Sequence, residues 1–147
     1  MTDLGRVVVD NSAWARLIRG TVPEPRARAW ADAVLRGDVL VSEPFRLEAL
    51  YSARSGEDVE RLAAELDAFD RAPSDAATWS LAQRAQRDLA GDRRVSHRVK
   101  PIDLLVAASA HQASAGVLHY DGAYDVIAEH TSLTFASVWV APRGSID

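Results

Sequence analysis

The chain has 147 residues, 48% hydrophobic and 26% charged, which is the composition of a folded globular protein and excludes a disordered or low-complexity chain. It has no cysteine, so disulfides, thiolate metal sites and cysteine nucleophiles are excluded. The formal net charge of −4 argues against coating nucleic acid by bulk electrostatics, and Lys100 is the only lysine in an otherwise arginine-based set of cations.

In chain order, the opening Met1-Thr2-Asp3-Leu4-Gly5 lacks the basic-then-apolar pattern of an export signal. No later apolar run reaches the roughly 18 residues that cross a bilayer. A cytoplasmic protein without membrane contact is expected. Val7-Val8-Val9 is a short apolar run that stops at Asp10-Asn11-Ser12, and Ala13, Trp14, Leu17 and Ile18 follow at helical spacing. The pattern predicts strand, turn, helix. A second helix is predicted from near Pro25 to Arg36, stopped by Gly37, and leads directly into a strand at Val39-Leu40-Val41.

Ser42 supplies a hydroxyl cap for a helix marked by Phe45, Leu47, Leu50 and Tyr51, ending near Gly56. Val59, Leu62, Ala63, Leu66 and Phe69 form the apolar stripe of a helix from Glu57 to Phe69, and a further helix runs from about Ser74 or Asp75 to Leu89. Between Arg84 and Lys100 the chain turns basic, with Arg84, Arg87, Arg93, Arg94, His97, Arg98 and Lys100 against Asp88 and Asp92. Pro101 suits the first turn of a helix that reaches Ala115, with Asp103 complementing its dipole. A strand Val117–His119, a loop at Tyr120-Asp121-Gly122, a short helix through Ile127 and a last strand near Ser137 to Val140 complete the chain. No repeat or linker divides it, so one domain over residues 1–147 is expected.

Strands alternating with helices imply an α/β fold with a largely parallel sheet, because parallel neighbours need a crossover and short uniformly apolar strands are covered on both faces. Ligands in such sheets bind beyond the carboxyl ends of the strands. The polar residues predicted there are mostly acids: Asp10 after the first strand, Glu43 and Glu48 after the second, Asp103 opening the long helix, and Asp121 and Asp125 after Val117–His119. Each alone has an ordinary use as a helix cap, dipole partner or turn residue. Together they would repel strongly, by roughly 4 kcal/mol per pair at about 4 Å and an effective dielectric near 20. A divalent cation relieves that cost, and an all-oxygen ligand set points to Mg²⁺ or Mn²⁺.

Val7-Val8-Val9-Asp10-Asn11-Ser12, Glu48, Asp103-Leu104-Leu105-Val106-Ala107-Ala108-Ser109-Ala110 and Leu118-His119-Tyr120-Asp121 resemble the PIN-domain ribonucleases of the VapC toxin type. The resemblance implies a PIN-like three-layer sandwich, with a central, mainly parallel sheet between helices. It also implies a Mg²⁺- or Mn²⁺-dependent endoribonuclease that cleaves RNA, such as a transfer RNA, by metal-activated water. A VapB-like antitoxin would hold it inactive, and a homodimer is expected. By the same resemblance Asp10, Glu48, Asp103 and Asp121 are the catalytic, metal-binding acids, Asp125 is a fifth candidate ligand, and Ser12 steadies Asp10. The family often carries a second acid two residues after the position of Asp121, where this chain has Ala123. Glu43 is the rival to Glu48.

Two other readings stay open: a PIN-like nuclease of RNA processing without an antitoxin, and a non-catalytic binding module. Arg93, Arg94, Arg98 and Lys100 are candidates for phosphate contact along an RNA path. His111 is expected to be packed, because it lies in the same stripe as Leu104, Ala108 and Ala115; His119, at a strand end beside Asp121, is also expected to be packed although it is within reach of a substrate. Trp14, Trp30, Trp79 and Trp139 are expected in core or interface packing, the helices around Trp30 and Val59–Phe69 being candidate partner surfaces. An aspartyl-phosphate chemistry of the haloacid dehalogenase type would need an Asp at Ser12, and a receiver domain would need its lysine after the acids, whereas Lys100 precedes Asp103.

Overall fold

The computed structural model describes residues 3–95 and 98–147. The strands are β1 (Val7–Val9), β2 (Val39–Val41), β3 (Asp70–Arg71), β4 (Gly116–His119) and β5 (Ser137–Trp139). The helices are α1 (Asn11–Arg19), α2 (Glu24–Arg36), α3 (Glu43–Tyr51), α4 (Gly56–Leu66), α5 (Ala76–Gly91), α6 (Pro101–Ala113) and α7 (Ala123–His130). All pairings are parallel and the strand order is β3-β2-β1-β4-β5, so the α/β sheet flanked by helices is as the sequence implies. Val7, Val8 and Val9 are completely buried, as expected of a strand covered on both faces.

Alternation of side chains along β1 sends neighbouring valines to opposite layers. Val8 joins Leu40, Val117 and the apolar faces of α5, α6 and α7 on one side of the sheet. Val7 and Val9 join Trp14, Ala33, Phe45 and Leu66 on the other. Trp14 is the hub of that second layer, with edge contacts to Trp30, Phe45 and Phe69 at centroid distances of 6.2, 5.8 and 6.1 Å. Helix α6 is buried from Asp103 to Ala110, which its run of small and aliphatic residues allows.

Most predicted elements stand close to their expected places. The edge strand β3 was not predicted: Asp70-Arg71 is too short and polar to read as a strand, and it pairs with Leu40 and Val41 only because β2 offers an unpaired edge. That pairing draws the chain out of helix geometry, so α4 ends at Leu66 and Phe69 packs from the turn beyond it. Gly37, at φ 76°, closes α2 in the left-handed conformation glycine favours, and the chain turns directly into β2.

Chain order places β2 and β3 on one side of β1, and β4 and β5 on the other. The direction of winding therefore reverses between β1 and β4, the position where open parallel sheets form a crevice beyond their carboxyl ends.

Candidate active site

Asp10 leaves β1 at that crevice and caps α1: its Oδ2 accepts from the Ser12 backbone N–H at 3.0 Å and from the Ser12 hydroxyl at 2.5 Å. Ser12 Oγ in turn accepts the Tyr120 N–H at 2.8 Å, tying the exit of β1 to the exit of β4. Asp103 lies in the first turn of α6 and is 5% exposed, unusual for an acid whose neighbours in the helix are Leu104, Leu105 and Val106. Burial, then the nearby charges of Asp10, Asp121 and Glu48, push its carboxyl up to about 7, with Lys100 working the other way. Glu48, one turn into α3, is also raised by burial and by Asp10 and Asp121, against the pull of Lys100. Acids from four elements, separated by up to 111 positions (121 − 10), thus act on one another in one cleft.

Tyr124, on α7, is fully buried beneath them. Its hydroxyl donates to Asp10 Oδ1 at 2.7 Å and lies 3.3 Å from Asp103 Oδ1. Burial and the two carboxylates hold its pKa well above the ordinary tyrosine range, so it remains a donor. The sequence reading did not include Tyr124 among the site residues. The available signal was its placement between Asp121 and Asp125 in a short helix whose inward face is otherwise aliphatic.

Asp121 follows β4 and its Oδ1 accepts the Ala123 N–H at 2.9 Å, an Asx turn that starts α7. Its own N–H donates to His119 Nδ1 at 3.0 Å. His119 is completely buried, packed on Tyr124 and Trp139, and burial lowers its pKa to about 4. Asp125 is turned toward β5, where it accepts from Ser137 Oγ at 2.5 Å and from Trp139 Nε1 at 3.1 Å. Asp125 is not among the charges acting on Asp103 or Glu48. Glu43 faces away and pairs with Arg71 at the sheet edge.

The basic stretch divides. Arg94 is held by Asp92 at 3.0 Å, and Asp92 also binds His130 at 2.9 Å, so part of that charge is spent internally. Arg93, Arg98 and Lys100 are exposed, and Lys100 caps α6 beside Asp103. His97 lies outside the described residues.

Among the described residues no group of three or more Asp, Glu or His side chains is arranged so that it could hold a metal ion as it stands. The donor chemistry still fits a hard divalent cation: four carboxylates, no sulfur, and an acid raised first by burial and then by its like-charged neighbours. Asp10 is answered at short range by hydrogen bonds from Ser12 and Tyr124 and Asp121 by the Ala123 N–H, while Lys100 acts on Asp103 and Glu48 through its charge.

A crevice at the β1/β4 reversal, rimmed by acids from successive elements, defines an α/β protein of the carboxylate-site class. Residues 7–130 match the PIN domain family, and the chain belongs to that family. It is 40% identical over 139 residues to Ribonuclease VapC18 of Mycobacterium tuberculosis, covering 94% of this chain and 97% of the relative. It is 38% identical over 123 residues to Ribonuclease VapC17 of the same species, covering 82% and 86%. The crystal structure of DNA-bound VapBC from Salmonella typhimurium shares the fold, with a TM-score of 0.69 at 15% identity over 93% of this chain and 99% of that one. The chain is thus a PIN-domain protein closely related to the VapC ribonucleases. No helix among the described residues is long and apolar enough to cross a membrane.

Proposed function

We propose that the chain is a metal-dependent endoribonuclease, the toxin half of a type II toxin–antitoxin pair, hydrolysing RNA phosphodiester bonds by attack of water. The observation that carries this reading is the convergence of Asp10, Glu48, Asp103 and Asp121 on one crevice, with Asp103 raised to about 7 by burial and by the other three. The two relatives named as ribonucleases support RNA as the substrate class, and a transfer RNA is the form proposed. A solved neighbour described as VapBC bound to DNA supports a VapB-like antitoxin as partner. A homodimer and a cytoplasmic location complete the proposal.

Asp10, Asp103 and Asp121 would hold Mg²⁺ or Mn²⁺, with Glu48 as the fourth acid. The cation supplies neutralisation of the crowded carboxylates and polarisation of the phosphate and the attacking water. Ser12 and Tyr124 fix the Asp10 carboxylate, one on each oxygen, so it cannot rotate away from the cleft. Glu48, half-buried and raised in pKa, is suited to receive a proton from the attacking water. Arg93, Arg94, Arg98 and Lys100 are proposed to contact backbone phosphates; the exposure of all four supports this, and Arg94 would have to leave Asp92 to do so.

Purified protein, freed of any partner, is incubated with total RNA in Mg²⁺, in Mn²⁺ and in chelator, beside Asp103→Asn. Cleavage that needs the metal and disappears in the variant is expected. Equal cleavage by the variant would overturn the assignment of the site.

A further inference from the structure

The buried polar chain between β4, β5 and α7 sits directly behind Asp121, and nothing in the reaction itself uses it. Its hydrogen-bond directions can be assigned from one end. The Asp121 N–H has only a proton to give, so His119 Nδ1, 3.0 Å away, must accept and carries no proton. The ring proton is then on Nε2, which lies 2.7 Å from Ser137 Oγ and donates to it. Ser137, having accepted from the ring, gives its own proton to Asp125 Oδ1 at 2.5 Å. Trp139 Nε1 donates to Asp125 Oδ2 at 3.1 Å and anchors the far end.

These directions exclude a nucleophilic role for the Ser137-His119-Asp125 trio, because an activated serine must donate to its imidazole, and this one accepts from it. What the chain does accomplish is geometric. The ring is packed against Tyr124 and Trp139, each with its centroid 4.9 Å away, so it has no room to turn. The opposite tautomer would set an N–H against the Asp121 N–H and force the loop off β4. With the backbone of Asp121 fixed by His119, and its Oδ1 fixed by the Ala123 N–H at 2.9 Å, the direction of the carboxylate is determined.

We propose that His119, locked as its Nε2–H tautomer by Ser137 and Asp125, is the positioning residue for the Asp121 carboxylate. Asp125 thereby belongs to the support of the site and not to the ligand set. The proposal depends on the reading of Asp121 as a metal-holding acid.

Asn and Gln separate the two ring nitrogens: an Asn amide oxygen can stand where Nδ1 stands, whereas Gln reaches toward Nε2 and leaves the Asp121 N–H without an acceptor. Mn²⁺ affinity is measured by titration calorimetry for the wild type, Asp121→Asn, His119→Asn and His119→Gln, with circular dichroism to check folding. His119→Gln is expected to weaken Mn²⁺ binding roughly 10- to 100-fold, as loss of an orienting partner does, while His119→Asn stays within a few-fold of the wild type. Nitrogen-15 NMR of the metal-free wild type should show His119 protonated on Nε2 alone. Wild-type affinity in His119→Gln alongside weakened Asp121→Asn, or an Nδ1–H signal, would overturn the positioning role and leave the metal site standing. Unchanged affinity in Asp121→Asn would overturn the metal reading itself, and the positioning role with it.

Discussion

Two groups of carboxylates in this protein are built from the same residue types and differ in what surrounds them. On the face formed by α3, α4 and β3, Glu43 pairs with Arg71, Asp67 with Arg46 at 2.9 Å and Arg71 at 3.2 Å, and Arg61 with Asp58 at 2.8 Å and Glu65 at 3.0 Å. These acids are answered locally, and water screens them. In the crevice between β1 and β4, Asp10 and Asp103 are 3% and 5% exposed and have each other, Glu48 and Asp121 as electrostatic neighbours. An unpaired, buried charge pattern costs stability and is of the kind that clusters at functional sites, whereas the paired pattern is ordinary for a surface.

The contrast should be widest in activity. Substitution of an outer-shell partner of a metal ligand commonly costs 10–100-fold, so Asp103→Asn or Asp10→Asn should lower RNA cleavage by more than about a hundredfold while the protein stays folded. Single-turnover cleavage rates together with circular dichroism check this. An equal loss on replacing Glu43, which is paired with Arg71, would erase the distinction between the two groups.

The next effect is on the dependence of stability on pH in chelator. Asp103, raised from 3.8 to about 7, makes the folded state bind the extra proton, so it costs on the order of 4 kcal/mol as pH rises through that window. His119, lowered from 6.5 to about 4, works in the opposite sense and costs about 3 kcal/mol as pH falls through its window. The two largely offset each other in the wild type. Removing the acid in Asp103→Asn should expose the histidine, and urea midpoints should then fall steeply between about pH 6.5 and 4. A flat profile in that variant would contradict the assignment to His119.

A smaller change is expected from Tyr124→Phe, which leaves buried Asp10 Oδ1 without its 2.7 Å donor and should lower stability by about 1–3 kcal/mol. Smallest of all is Arg71→Ala on the paired face, where both partners are about half exposed, and a loss within about 1 kcal/mol is expected from denaturant unfolding.

The sheet was legible because its strands are short apolar runs ending in abrupt polar signals, as at Val9-Asp10 and His119-Tyr120-Asp121. Strand β3 was not, since Asp70-Arg71 becomes a strand only by pairing with β2. Asp10, Glu48 and Asp121 stand out in the sequence by following predicted strands and Asp103 by opening the long helix, but choosing these four over Glu43 and Asp125 needed the family resemblance; chain order reverses between β1 and β4, beside Asp10 and Asp121. Tyr124, Ser137 and Trp139 were not, because hydrogen-bond partners contributed from α7 and β5 to residues of β1 and β4 leave no spacing signal. Asp125 shows the same limit: sequence distance groups it with Asp121, while its carboxylate points to Ser137 and Trp139.

The most direct test of a cation-completed acidic crevice is thermal unfolding of the wild type and Asp103→Asn, each in chelator and in saturating Mg²⁺. At one hundred times its dissociation constant, the cation should stabilise the wild type by about 2.7 kcal/mol. Asp103→Asn should be more stable than the wild type in chelator and indifferent to Mg²⁺. A wild type indifferent to Mg²⁺, with Asp103→Asn less stable in chelator, would show that the buried acid serves the fold and that the crevice is not a metal site.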